Sequence, residues 1–516
     1  MAVTNLDGEY DLILYGLGVM GENFIRNFAR NGYRVIGVNR TVSVTERFAN
    51  EVAEEDIADR VGTAETLVEA CEHLKSPDGA VLAMIKANDP VNEPWGPIDQ
   101  LFFSGSQAKY SDTDRKDVPA LVDLVPDGTV MIDAANSHPR STKARCKEFA
   151  KRDVPFIGTG VSGGSEGALK GPCIMPGGTR EAYDVVGEML EAAAAQVDGA
   201  CCTYIGDHEA GHFVKNVHNG IEYGIMAAIS ETYHALAHLL GYAPEQIHPI
   251  FAEWNAGRHG GYLMEISTEI CGMTDAETGE PMLDVILDRA GQKGTGKWTS
   301  QIAFDLGVPV PTIAAALQAR IMSSFKTARV AASDRLEGVA LKEFSADDRN
   351  RLIDAASDAL FGAMIAAYAQ GFWLMSEAMG ADPERNGGDY DFTLELDEIA
   401  RIWKGGCIIR SKLLDPIREA FTEEPDLHNI MLAPQFSEVL NDADFQRNWR
   451  WWVRTMVENG LPADAIGASL NYFDTYRTER LPANMIQAQR DRFGEHGFER
   501  VDKEGGDYHL NPADPD

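Results

Sequence analysis

The chain has 516 residues, of which 44% are hydrophobic and 24% charged; these are ordinary globular proportions, with apolar mass for more than one core. Eighty acidic against 46 basic residues leave a formal net charge of −34, which argues against the basic face that a nucleic-acid binder needs. No apolar run approaches the roughly 18 residues of a membrane span, and seven scattered cysteines without a C-x-x-C pair point to reduced thiols rather than a disulfide frame.

The start of the sequence has no signal-peptide pattern, so a cytoplasmic location is expected, with no membrane partner. Leu12 to Tyr15 reads as a strand and Val19 to Arg30 as a helix, with Phe24 and Phe28 on one face. Arg34 to Val38 reads as a second strand and Thr45 to Val52 as a second helix; further strands are expected at 80–85, 129–133 and 155–158. Such alternation builds βαβ units and a parallel sheet. The segment 88–118, rich in Pro, Ser and Asp, reads as an inserted surface loop. After residue 207 helical periodicity takes over, in stretches at 209–240, 310–331, 348–379 and 433–458. The expected fold is thus an α/β N-terminal Rossmann-like parallel-sheet domain over 1–207, a large all-α domain over 208–470, and a C-terminal arm over 471–516.

Gly16-Leu17-Gly18-Val19-Met20-Gly21 is G-x-G-x-x-G between a strand and a helix. The first glycine permits a tight turn, the second admits a pyrophosphate, and the third lets helix and strand approach. The helix N-terminus adds N–H groups and partial positive charge. About 20 residues on, an NAD site would carry a carboxylate for the ribose 2′-OH. Asn39-Arg40-Thr41 stands there instead. A guanidinium and a hydroxyl suit a 2′-phosphate, so NADP is the expected cofactor.

His208-Glu209-Ala210-Gly211-His212 matches H-E-x-x-H, whose two histidines bind zinc from one helix face. Gly211 is a poor helix former, and His208 falls at a helix start. Two polar helix-start histidines are expected, and no metal. Lys215, His218, Asn219 and Glu222 follow at i, i+3, i+4 and i+7, on one face of a helix whose other residues are small or apolar. A polar stripe on a buried helix needs a reason. A lysine whose pKa is lowered by burial is a suitable base for oxidising a secondary alcohol, and a nearby carboxyl is a suitable acid.

These residues carry a resemblance. Together with Gly160 to Gly164, Met175-Pro176-Gly177-Gly178, Lys293 to Thr299, Gly405 to Arg410 and Gln487 to Asp491, the chain resembles the decarboxylating 6-phosphogluconate dehydrogenase family along nearly all its length. The resemblance implies NADP-dependent oxidative decarboxylation of 6-phospho-D-gluconate to D-ribulose 5-phosphate and CO2, a step of the pentose phosphate pathway and of gluconate utilization. It implies Lys215 as base and Glu222 as acid. It implies Asn136, Ser162, Gly163, Gly164, His218 and Asn219 around the sugar acid, and Tyr223, Lys293, Thr295, Arg320, Arg490 and His496 around its phosphate. For the cofactor it adds Ile85, Lys86, Ala87 and Asn136 to Gly16–Gly21 and Asn39–Thr41. It also implies a homodimer in which Arg490 and His496 reach the partner's site on the exchanged C-terminal arm. Two departures stand out. Asp133-Ala134-Ala135-Asn136-Ser137 replaces the family's usual Asp-Gly-Gly-Asn-Ser, and Ser165 stands where the family has Glu. The alternatives are a non-decarboxylating 3-hydroxyacid dehydrogenase and a non-catalytic NADP-binding regulator.

Overall fold

The structure is a computed structural model that describes residues 5–87, 96–104, 120–291, 294–380 and 390–510. Its N-terminal part alternates β1 (Leu12–Tyr15), α1 (Val19–Arg30), β2 (Val35–Val38), α2 (Val42–Val52), β3 (Val61–Thr63), α3 (Leu67–Glu72), β4 (Ala80–Ala83), α4 (Pro97–Phe103), β5 (Val130–Asp133), α5 (Pro139–Ala150), β6 (Phe156–Ser162), α6 (Gly164–Lys170), β7 (Cys173–Gly178) and α7 (Arg180–Ala193). The sheet order is β3-β2-β1-β4-β5-β6-β7. Every pairing is parallel except β6 with β7. All residues of these strands are buried, as a sheet covered by helices on both faces requires. The chain reverses direction across the sheet between β1 and β4, and ligands of such sheets bind outside the strand ends at that point.

The 88–118 reading needs correction. Residues 88–95 and 105–119 lie outside the described residues, but between them α4 is a helix with Ile98, Leu101 and Phe102 buried. Those residues recur at i, i+3 and i+4, a helical stripe that the surrounding polar composition hid. The strands β3 and β7 also go beyond the sequence reading.

Beyond α7 come α8 (Ala210–Leu240), α9 (Pro244–Ala256), α10 (Tyr262–Cys271), α11 (Met282–Val285), α12 (Thr295–Asp305), α13 (Pro311–Ser324), α14 (Lys326–Ser333) and α15 (Ala346–Glu377). After them run α16 (Leu396–Ile402), α17 (Leu414–Glu423), α18 (Pro434–Asn441), α19 (Ala443–Glu458), α20 (Asp464–Tyr476) and α21 (Ala483–Gly494). The stretches expected at 310–331 and 433–458 each split, at Phe325 and at Asp442. Asp442 ends α18 and caps α19, its carboxylate accepting from the N–H of Phe445 at 2.8 Å.

Helix α8 has 31 residues and runs about 46 Å. It packs on β6 and β7 at one end and on α12, α13 and α15 along its length. Helix α15 is apolar and long enough to cross a membrane by composition, yet 78% of its apolar window is buried inside the protein; it is a core helix. The start expected for the arm, residue 471, falls inside α20. The arm is also not purely irregular: α21 is followed by an antiparallel hairpin, β8 (Phe498–Arg500) and β9 (Lys503–Tyr508).

Candidate active site

At the cofactor end, the turn after β1 is sterically closed on one side and open on the other. Gly16 has φ +116°, and a Cβ there would meet Met84 O at 2.4 Å; a Cβ on Gly21 would meet Gly16 O at 2.0 Å. Nothing lies within 4 Å of a Cβ built on Gly18, which is the N-cap of α1 and has no side-chain cap bond. Free helix N–H groups therefore face an open approach, which fits a pyrophosphate. The Leu17 N–H is already given to Asn39 Oδ1 at 3.1 Å, and the Leu17 side chain is buried. Leu17 thus shapes the turn instead of donating to phosphate.

A cavity of about 440 Å³ continues from this turn, lined by Gly16, Gly18, Asn39, Arg40, Thr41, Ile85 and Lys86. It is also lined by Tyr15, Met84, Pro97, Gln100 and Leu101, which the sequence reading missed; the last three come from α4. Arg40 is exposed and forms no ion pair among the described residues, so its guanidinium remains available for a 2′-phosphate. Val19, Met20, Gly21 and Ala87 do not line this cavity. Val19 is exposed at the helix start, and Gly21 serves the helix–strand contact.

At the substrate end, the N-terminal turns of α8 lie almost against the sheet. A Cβ on Gly211 would meet Met175 O at 2.3 Å, and one on Gly160 would meet Lys215 Cβ at 2.3 Å. This close approach places Lys215 beside the end of β6, where Ser162 leads into Gly163 and Gly164. Gly163 has φ +133°, and its Cβ would strike Gly406 O at 2.5 Å. The Cys173 N–H donates to the same carbonyl at 2.9 Å, tying the loop to residues 403–410 of the helical part.

Lys215, His218 and Asn219 are buried, and Glu222 keeps 20% side-chain exposure. Ser162 Oγ lies 3.1 Å from His218 Nε2. His218 Nδ1 lies 3.2 Å from Asn219 Oδ1, 3.4 Å from Lys215 Nζ and 3.9 Å from Glu222 Oε2. Because Asn219 Oδ1 only accepts, Nδ1 carries the proton and Nε2 accepts from Ser162. Burial, with Lys215 beside it, pushes His218 well below the usual imidazole range, so it is a neutral orienting group. Burial likewise lowers the Lys215 ammonium and raises the Glu222 carboxyl, and the two partly offset this through their mutual attraction. Both shifts run toward an uncharged amine and a protonated acid.

Tyr223 is buried on the next turn, with the Arg320 guanidinium 4.4 Å from its ring centroid. Gly296 of α12 also lies against that ring; a Cβ there would meet Tyr223 Cε2 at 2.4 Å. Lys293 lies outside the described residues, as does the side chain of Thr295. Arg490 and His496 are both exposed and lie on the arm. Arg490 donates to Gln487 Oε1 at 3.0 Å, and among the described residues no hydrogen bond from 481–510 leaves that segment. Within one chain, these two residues are therefore not bonded to the Lys215 face.

The structure adds Trp403, which meets His218 edge-on at 5.6 Å between centroids and donates from Nε1 to Met175 Sδ at 3.5 Å. It also adds Thr299, whose hydroxyl donates to Asn216 O at 2.6 Å and fastens α12 to α8. Neither was legible in advance, because each acts from a distant part of the sequence.

The H-E-x-x-H segment is not a helical pair. His208 has φ +52°, Glu209 is the N-cap of α8, and His212 is buried within the helix. His212 Nε2 lies 2.9 Å from Ala135 O, and its Nδ1 lies 2.7 Å from Thr142 Oγ1. The reading of two polar histidines holds for His208 alone; the sheet covers His212.

Two family models match the chain. One, described as the NAD binding domain of 6-phosphogluconate dehydrogenase, covers residues 11–206; the 6-phosphogluconate dehydrogenase C-terminal domain covers 211–512. The NADP(+)-dependent, decarboxylating 6-phosphogluconate dehydrogenase of Bacillus subtilis is 43% identical over 95% of this chain and 96% of its own length. The decarboxylating 6-phosphogluconate dehydrogenase of Synechococcus elongatus is 42% identical over 95% and 97%. A solved Plasmodium falciparum 6-phosphogluconate dehydrogenase, described in apo form, with its cofactor NADP+ and with its substrate 6-phosphogluconate, superposes with a TM-score of 0.84 at 36% identity, covering 97% of this chain and 99% of that one. Fold, active-site face and these matches agree over nearly the whole length, and the chain belongs to the 6-phosphogluconate dehydrogenase family.

Proposed function

We propose that this protein oxidises 6-phospho-D-gluconate at C3 with NADP+ and releases its C1 carboxylate as CO2, giving D-ribulose 5-phosphate and NADPH. The observation that carries this reading is the α8 face, where a buried lysine and a partly exposed carboxyl, 3.4 and 3.9 Å from His218 Nδ1, have opposite pKa shifts beside a neutral histidine.

The cofactor, held by the α1 N-terminus and Arg40, supplies the hydride acceptor. Neutral Lys215 takes the 3-hydroxyl proton as hydride leaves C3, and a 3-keto acid forms. The resulting Lys215 ammonium polarises the new carbonyl. The C1–C2 bond then breaks, CO2 departs, and the Lys215 ammonium returns its proton to the C3 oxygen, so that the electron pair is left as an enediol. Glu222 gives a proton to the former C2, which becomes C1 of the product, while Lys215 takes back the hydroxyl proton from the former C3 and leaves the ketone there. Ser162, Gly163, Gly164, His218, Asn219 and Asn136 hold the sugar acid. Tyr223, Lys293, Thr295 and Arg320 hold the phosphate, with Arg490 and His496 of a partner subunit's arm completing the grip in a homodimer. In this reading residues 1–207 serve the cofactor, 208–470 the substrate and 471–516 the partner. Its seven unpaired cysteines suit the reducing cytoplasm, where we place the enzyme.

The Glu222 acid and the Tyr223–Arg320 phosphate grip favour this reading over a 3-hydroxyacid dehydrogenase that keeps its carboxylate. The test is NADPH formation with CO2 release followed in the same sample, with a chelator present. One CO2 per NADPH is expected. Reduction without CO2 overturns the decarboxylating step, and no reduction overturns the reading. Lys215→Ala is expected to lower kcat by at least about a thousandfold with NADP+ binding retained.

A further inference from the structure

Between Val130 and Pro139 every residue is buried except Asn136. The loop around it is tied from three directions. Ala134 N–H donates to Ala83 O at 3.0 Å. Asp133 accepts from Ala135 N–H at 3.0 Å and from Ser137 Oγ at 2.7 Å. Arg145, itself buried, donates to Asp133 at 2.7 Å and to Ser137 Oγ at 2.9 Å, and grips Asp99 of α4 with two further bonds at 2.7 and 3.0 Å. From the other side, His212 of α8 reaches Ala135 O at 2.9 Å. That carbonyl only accepts, so the proton sits on Nε2, and Nδ1 must accept from Thr142 Oγ1 at 2.7 Å. One tautomer of a neutral imidazole satisfies both bonds. The Asn136 side chain, in contrast, has no hydrogen bond among the described residues. A free amide at the tip of a fully braced loop is a preorganised ligand group.

We propose that His212 is a positioning residue for Asn136: by gripping Ala135 O from the catalytic helix, it fixes the loop whose amide meets substrate and cofactor, and locks its distance to Lys215 one turn further along α8. This rests on the reading of Asn136 as a ligand of both. It gives His212 a role that the zinc motif does not. It also accounts for the chain's tolerance of Ala134 and Ala135 where the family has glycines. Neither has a positive φ, and both methyls are buried, in the cores on opposite faces of the sheet, so the loop is held by packing as well as by hydrogen bonds.

The test uses the full chain and two readouts, the dissociation constant of NADP+ from protein fluorescence and the KM for 6-phosphogluconate. His212→Phe keeps the ring shape and removes both bonds; about a tenfold rise in both constants is expected. His212→Gln restores a donor for Ala135 O and an acceptor for Thr142, and is expected to return both to within about threefold of the parent. In an Asn136→Ala background, His212→Phe is expected to add less than about a twofold change, because the group it positions is gone. Unchanged constants in His212→Phe overturn the proposal, as does full additivity with Asn136→Ala. Equal damage from Phe and Gln overturns it too, marking a role in folding alone. Should His212→Phe not fold, Thr142→Val removes the donor that fixes the tautomer at 2.7 Å, together with a longer bond to His138 O at 3.4 Å within its own helix; a rise of about threefold is expected, and no change overturns the proposal. Parent protein that binds NADP+ but turns over no 6-phosphogluconate defeats the functional reading instead, and the NADP+ constants still decide the positioning.

Discussion

At the residue scale, the proposed chemistry depends on burial acting in opposite directions on two groups seven residues apart. Lys215 is pushed down and Glu222 up, and both shifts run toward the neutral amine and protonated carboxyl that the proposed mechanism needs. Activity is expected to fall at low pH as Lys215 gains a proton, and at high pH as Glu222 loses one. Glu222→Gln should remove the alkaline limb of kcat and leave the acid limb in place; a pH profile that keeps both limbs would assign the acid elsewhere. The spacing of these residues was legible, because i, i+3, i+4 and i+7 is a property of any helix. Their protonation states were not, since they depend on what the rest of the fold removes from water. Arg40 makes the second residue-scale case. Arg40→Ala is expected to raise the KM for NADP+ by about a hundredfold, through loss of charge-assisted bonds to the 2′-phosphate, with little change for NAD+. Comparing both cofactors on the variant checks it, and an unchanged ratio would remove Arg40 from the 2′-phosphate site.

At the element scale, α8 is both the catalytic platform and the central beam of the helical part. Its glycines let it approach the sheet at Gly211 and let α12 approach at Gly220, where a Cβ would meet Thr299 Cγ2 at 2.5 Å. Residues 221–238 and 361–376 are both rich in small residues, which suits their packing, since α8 and α15 lie against each other and a Cβ on Gly371 would meet Ile221 Cδ1 at 2.4 Å. Further along α8, buried Glu231 accepts from the backbone N–H groups of Ala465 and Ile466 at 2.7 and 2.9 Å. It thereby caps α20 from another helix. Burial raises its carboxyl from 4.5 to about 7. A raised acid means that the folded state holds a proton between those values which the unfolded state has lost. Its contribution therefore weakens as pH rises from about 4.5 to about 7, by on the order of 2–3 kcal/mol. Glu231→Gln should flatten that part of the stability curve, read as the difference in Tm between parent and variant across this pH range. A difference that does not change with pH would refute the assignment. Here the sequence offered no warning, because a lone glutamate on a helix ordinarily reads as solvent-facing.

At the scale of the whole molecule, the arm stands apart. Helix α21 exposes Met485, Ile486 and Phe493, and the α13–α14 region exposes Met322, Phe325 and Val330. These exposed apolar side chains suit the proposed pairing of two copies. In the proposed reading, the arm residues Arg490 and His496, which have no hydrogen bond to the α8 face among the described residues, serve the phosphate site of a second copy. A mixing experiment decides it. Lys215→Ala and Arg490→Ala proteins are each expected to be nearly inactive. Refolded together, they should recover about a quarter of parental activity, because half the dimers pair one intact lysine with one intact arm. If the arm serves its own chain, mixing restores nothing.

The sequence alone determined the order of the N-terminal strands and helices, the glycine turn and the polar face of α8. Each of these is local, set by side-chain period, by backbone freedom at glycine, and by the choice of Arg40 over a carboxylate. It also misread what local pattern obscures. The helix α4 lay hidden in a polar stretch, and His212, read as a polar helix-start histidine, is buried against the sheet. The tertiary structure decided these, and also the pKa shifts of Lys215, His218 and Glu222 and the bracing of Asn136 by Arg145 and His212. The physical reason is common to all of them: desolvation and hydrogen-bond partnership are properties of neighbours, and these neighbours arrive from segments tens to hundreds of residues away.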